Sequence, residues 1–157
     1  MERVRNPFTS SATGGRLLSS MQLPLFQLRP PPDYGVLTTT GRKSGKTRRR
    51  CVRAVRRGDR AYIVAIRGGI TGWVHNALAH PEVRLRLRDG QFTGKAREVE
   101  VGERAEAKEA YSAGVHRFEY LEYRMWRKGR PSEEDIRELH RSWFDTGTPI
   151  VVELVQA

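Results

Sequence analysis

Between Val36 and Arg50 the chain reads Val-Leu-Thr-Thr-Thr-Gly-Arg-Lys-Ser-Gly-Lys-Thr-Arg-Arg-Arg. Gly41 and Gly45 permit backbone conformations in which successive N–H groups converge on one point. Arg42 and Arg48 contribute planar donor forks, Lys43 a mobile point charge and Ser44 a neutral donor. Such a turn is an anion receptor, and a phosphate-bearing ligand is what it suits. The competing reading is a solvated hairpin tip whose charges keep the protein soluble. Residue types alone leave those two open. A nucleotide-binding P-loop is excluded, because its two glycines need four residues between them and Gly41 and Gly45 have three. A P-loop also opens a helix, whereas the segment after Arg48 alternates Cys51, Ala54 and Val55 with charge, as a strand does.

Other chemistry is thinly represented. Cys51 is the single cysteine, so no intrachain disulfide and no cysteine-based metal site can form, which fits a reducing cytoplasm. His75, His80, His116 and His140 show no paired-ligand spacing, and no metal is predicted. The net charge of +11, from 29 Lys plus Arg against 18 Asp plus Glu, favours an anionic partner: nucleic acid, anionic lipid or a multiply charged cofactor.

The elements that must position the turn are mostly strands. Val36 to Thr40, Arg49 to Arg56, Arg60 to Ile66, Val83 to Leu87, Phe92 to Val101 and Ile150 to Val155 are β-branched or alternate apolar with charged residues. Turn signals at Gly41 to Gly45, Gly58-Asp59 and Asp89-Gly90 separate several of them. Helices are expected over Trp73 to Ala79, over Glu103 to Lys128 with a break near Gly114, and over Glu133 to Trp143 behind a Ser132 cap. Five or six short antiparallel strands closed into a small barrel, with helices over its openings, is the expected architecture: one domain over 33–157. Residues 1–32 are rich in Ser, Gly, Pro and Arg and are read as a mobile arm or a short helix lying over the domain. Their apolar stretch Leu17 to Leu28 is too short and broken to span a membrane.

Leu37 to Gly45, then Arg67-Gly68-Gly69, then Trp73-Val74-His75-Asn76 followed by Pro81, resemble in that order the deazaflavin-dependent nitroreductase family. The resemblance runs from about Val36 to Val101 and resumes weakly at Pro149 to Val152. It implies an FMN-binding-like split β-barrel, mainly β with helices (α+β), that binds coenzyme F-420. It further implies that Arg42, Lys43, Ser44, Gly45 and Arg48 hold the coenzyme's phosphodiester, with Arg67, Gly68, Trp73 and Asn76 around the phosphate and the deazaflavin-bearing end. Tyr120 and Tyr123 sit where the family often places tyrosines of the acceptor pocket, although Phe118, Leu121 and Met125 form an ordinary core stripe on the same helix. Trp73 reads equally as a barrel-end plug, and Asn76 as a helix terminator ahead of His80-Pro81.

Three departures from the family pattern stand out. Ile66 occupies the position where many members carry a serine, and it donates no hydrogen bond, which weighs against nitro-group reduction. Gly72 shortens the approach to Trp73, and Arg127 to Thr148 carries an additional helix.

The resulting expectation is a cytoplasmic oxidoreductase passing hydride from reduced coenzyme F-420 to a planar, largely apolar small molecule: a quinone, an enone or a nitroaromatic. Proton donation falls to His75 or a tyrosine. The hydride belongs to the cofactor, which accounts for the lack of a triad or carboxylate pair. One alternative is an FMN-binding flavin reductase or carrier. The other is a nucleic-acid-binding module using Arg48, Arg49, Arg50, Arg53, Arg56 and Arg57, disfavoured because no aromatics interleave the arginines. A homodimer is compatible with the sequence.

Overall fold

The computed structural model of the protein describes residues 28–66, 72–126 and 131–156. Six strands, β1 (Tyr34–Thr40), β2 (Thr47–Arg57), β3 (Arg60–Ala65), β4 (Glu82–Leu87), β5 (Gly90–Glu98) and β6 (Thr148–Gln156), close into an antiparallel barrel in the order β1-β2-β3-β6-β5-β4. The closure is what the alternation demands. In register, Leu37 faces Leu85, Leu85 faces Phe92, Ala96 faces Val152 and Ile63 faces Ile150, so every second residue turns into one lumen. Arg84 and Arg88 fall on the opposite face and are exposed, with Arg86 half-buried between them.

Four helices cover what the barrel leaves open: α1 (Gly72–Ala79), α2 (Arg104–Ala113), α3 (Arg117–Trp126) and α4 (Glu133–Thr146). The first plugs one end of the barrel with Trp73, Val74 and Ala77, all part of the lumen core. Val55, Tyr62, Val64 and Val151 on the barrel's outer wall pack with Ala107, Ala110, Tyr111 and Phe144 of α2 and α4 into a second core. Helix α4 begins with a capping box in which Ser132 and Asp135 exchange bonds, and Glu133, Glu134 and Asp135 complement its dipole.

The long helix expected over Glu103 to Lys128 is two helices, broken at residues 114–116 near the expected glycine. A buried cation organises that break. Arg53 on β2, 6% exposed, donates through Nε to Glu119 Oε1 at 3.1 Å, through one terminal nitrogen to the Tyr111 carbonyl, and through the other to the Gly114 carbonyl at 3.1 Å. Glu119 in turn accepts the His116 N–H at 2.8 Å, closing the start of α3. Asp33, a non-glycine residue at φ 61, meets His116 Nε2 at 2.9 Å beside this group. Of the N-terminal arm, residues 1–27 lie outside the described residues. Arg86 and Arg88 hold the segment that follows, donating to the carbonyls of Leu28 (3.3 Å) and Pro30 (3.5 Å).

Candidate cofactor site

Antiparallel pairing brings the β1–β2 turn, the end of β3, helix α1 and the start of β4 to one end of the barrel. The turn is shaped from within. Gly41 N–H donates to the Lys46 carbonyl at 2.8 Å, Gly45 N–H to the Gly41 carbonyl at 2.9 Å, and Lys46 N–H to Ser44 Oγ at 3.2 Å. Gly45 has φ 68, a left-handed conformation that a side chain would strain. Ser44 therefore spends an acceptor position of its oxygen on the turn's shape.

A second element clamps the turn. Asn76 on α1 accepts both the Arg42 backbone N–H, at 3.2 Å, and the Arg42 guanidinium, at 3.1 Å, on a single oxygen. Because both partners are donors, the amide's orientation follows, and its NH₂ is left without a bond among the described residues. Lys43, Lys46 and Arg48 are exposed and have no ion-pair partner among the described residues. Several cations elsewhere are matched: Arg56 with Asp89 at 2.5 Å, Arg60 with Glu103 at 3.3 Å, Arg97 with Glu153 at 2.9 Å and Arg141 with Glu138 at 2.6 Å. Glu103, hydrogen-bonded first of all by Arg97, is held down to about 2. Free cations on a rigid, glycine-containing turn are what a phosphodiester needs, so these residues fit such a group.

The remaining expected residues divide. Ile66 follows β3 at the same end and is 37% exposed. His75 is exposed on α1 beside Asn76. Arg67 and Gly68 lie outside the described residues. Trp73, 7% exposed, belongs to the lumen core, and the plug reading accounts for it. Tyr120 and Tyr123 pack with Ile136, Leu139 and Trp143 between α3 and α4, where Tyr123 is 8% exposed. The arginine-rich strand is not one open cationic stripe: Arg53 is buried and Arg56 is paired. The Arg53–Glu119 pair itself has no signature in the sequence, since its members stand 66 residues apart in otherwise unremarkable surroundings.

A sequence profile of the F420H(2)-dependent quinone reductase family matches residues 26–131. The chain belongs to that family. It is a coenzyme F-420-dependent oxidoreductase, and the matched span contains the turn, α1 and the Arg53–Glu119 pair but ends before α4 and β6. Among solved structures, an F420-H2 dependent reductase (FDR-A) is similar at 25% identity and TM-score 0.51, covering 77% of this chain and 94% of its own. A structure described as a domain-swapped dimer, at 23% identity and TM-score 0.53, covers 85% and 94%. The heme storage protein HutZ from Vibrio cholerae, at 12% identity and TM-score 0.51, covers 87% and 91%. These last two share the fold. No curated protein matches the chain. Among the described residues, no helix is long and apolar enough to cross a membrane, and no group of three or more His, Cys, Asp or Glu could hold a metal.

Proposed function

We propose that the protein binds reduced coenzyme F-420 by its phosphodiester at the β1–β2 turn and presents it to a quinone. The observation that carries the reading is the clamped turn with its unmatched cations at the same barrel end as Ile66. Arg42, held by Asn76, offers a fixed fork, while Lys43 and Arg48 supply mobile charge and Ser44, Gly45 and the Asn76 NH₂ supply neutral donors. The family resemblance adds Arg67 and Gly68, next along the chain from Ile66, to the binding residues. Trp73 supports it from beneath as part of the core.

Hydride transfer is the chemistry that the coenzyme supplies when bound. The chain's own task is to orient the ring and shelter it. Ile66 offers an apolar contact and no hydrogen bond, which suits a quinone or an enone better than a nitroaromatic. His75, exposed beside the clamp, is better placed to deliver a proton than Tyr123, which is enclosed in the α3–α4 cluster. Residues 33–157 form the working domain, and the protein works in the cytoplasm as a monomer or a homodimer.

The test is titration of coenzyme fluorescence with purified protein at low salt. A saturable change at micromolar protein is expected, and the Lys43→Ala/Arg48→Ala double variant loses it while keeping its melting temperature. Unchanged affinity in that variant overturns the site. A thermal shift with FMN and none with coenzyme F-420 overturns the cofactor assignment in favour of a flavin reductase.

A further inference from the structure

The buried stripe of α4 is Ile136, Leu139, His140, Trp143 and Phe144, all apolar but for the imidazole in its middle. His140 is 1% exposed, and its Nδ1 is buried with no hydrogen-bond partner among the described residues. It stands at the seam of two clusters. On one side Ile136, Leu139 and Trp143 pack with Tyr120 and Tyr123 of α3; on the other Phe144 packs with Tyr111 of α2 and the barrel's outer wall. Its ring lies 5.4 Å from that of Trp143 and 6.0 Å from that of Tyr111, centroid to centroid. No carboxylate is left to balance a proton there. From β2 the Arg53 guanidinium sits 4.7 Å from the centroid of the same Tyr111 ring, and Glu119 of α3 and Asp33 belong to that arginine at 3.1 and 4.0 Å. On α4 itself Glu133 faces Arg137, Glu134 and Glu138 face Arg141, Asp145 faces Lys108 of α2, and Asp135 closes the cap with Ser132. From β3 comes Tyr62, a member of the Phe144 cluster.

We infer that α4 is an acid-released cover: protonation of His140 accompanies its undocking from α2 and α3 while the six-stranded barrel stays closed. An imidazolium in that seam is a buried charge with a guanidinium nearby and no anion of its own, so the docked helix does not hold the proton. Burial, and then Arg53, keep the group neutral well below the usual histidine range. Undocking wets the ring, which then takes a proton at an ordinary pKa of about 6.5. Acid thereby favours the undocked state. Release is local because the two layers share no core: among the described residues, the lumen cluster draws on the strands and α1 and contains nothing from α2, α3 or α4. The other ties on α4, Lys108 to Asp145 at 2.8 Å and Arg137 Nε to the Ala113 carbonyl at 3.2 Å, involve partly exposed side chains and are worth little. Undocking bares Tyr120, Tyr123 and the outer wall around Tyr62. The β1–β2 turn and its Asn76 clamp contribute to neither cluster, so the coenzyme seat stays in place. Two other groups in the region respond to acid. His116 has Asp33 at 2.9 Å to receive its charge, and Glu119, its carboxyl pushed up by burial and drawn back by Arg53, is the competing trigger.

The experiment is native-state hydrogen exchange of the full chain, read by mass spectrometry at pH 7.5 and 5.5 in low urea and corrected for intrinsic rates. Amides of 133–146 are expected to open more readily than those of the six strands and with little dependence on urea, as a local release requires. They should open about tenfold more readily at pH 5.5 than at 7.5, the effect of one proton over that window. His140→Phe and His140→Gln should both lose this tenfold difference, and the glutamine variant decides where phenylalanine overfills the seam. Helix and strand amides that share one opening free energy and one urea slope overturn the inference, because α4 then leaves only with the barrel. So does an α4 that opens equally at both pH values. Acceleration that persists in His140→Gln also overturns it and assigns the acid response to Glu119.

Discussion

Asn76 and Arg42 are joined twice at one atom: the asparagine Oδ1 receives the arginine's backbone N–H at 3.2 Å and its guanidinium at 3.1 Å. The bond spans 34 residues and ties the barrel-end helix to the β1–β2 turn. Asn76 is thus first a positioning residue, fixing the Arg42 fork.

Asn76→Ala frees Arg42 and should weaken coenzyme binding about five- to tenfold, the worth of one or two ordinary hydrogen bonds. Because the turn is exposed, the melting temperature should hardly move. Asn76→Asp keeps the acceptor and adds a charge facing the phosphodiester, so its affinity should fall below that of the alanine variant. An aspartate variant that binds as well as wild type would show that no anion sits there.

Gly45→Ala places a side chain in the left-handed region with nothing within 4 Å to collide with. Its cost is backbone strain alone, about 1 kcal/mol. A melting drop of about 2–4 °C is expected, together with weaker coenzyme binding as the turn relaxes. Asn at the same position tolerates this conformation and should recover most of both losses.

Arg53→Met should destabilise the protein by about 3–5 kcal/mol, because it strands a buried carboxylate and frees two helix-end carbonyls. Burial already pushes the Glu119 carboxyl up, with Arg53 pulling it back down. The Arg53→Met/Glu119→Leu double variant should recover much of the loss in urea unfolding. If the double variant is as unstable as the sum of the singles, the pair is not a unit.

His140, 1% exposed and close to the rings of Tyr111 and Trp143, is held down to about 2 by burial and then by Arg53. Its folded state stays neutral where the unfolded chain takes up a proton. The unfolded state therefore binds more protons between about pH 6.5 and about 2, and stability falls as pH drops through that window. His140→Phe should flatten this acid dependence. Urea midpoints at pH 7.5 and 5.0 measure it, and identical slopes in variant and parent would rule the histidine out.

Much of the architecture was legible in local pattern. Strand alternation around Val83 to Leu87 and the Asp89-Gly90 hairpin signal each need only neighbours in sequence, and all six strands fell where such signals placed them. The Ser132 cap and the break near Gly114 were legible for the same reason. The turn's residue types point to an anion receptor, one of the two readings they leave open, because glycine conformation and guanidinium chemistry are local properties.

What the sequence by itself determined is the chemistry of the turn and the two-residue period that makes a barrel. Only the tertiary structure decided which cations remain free. It enclosed Arg53 with Glu119, matched Arg56 to Asp89, left Arg48, Arg49 and Arg84 open, and set Trp73 in the lumen. Pairing of charges and closure of a lumen depend on which distant strands and helices meet, and no short window of sequence contains that distance.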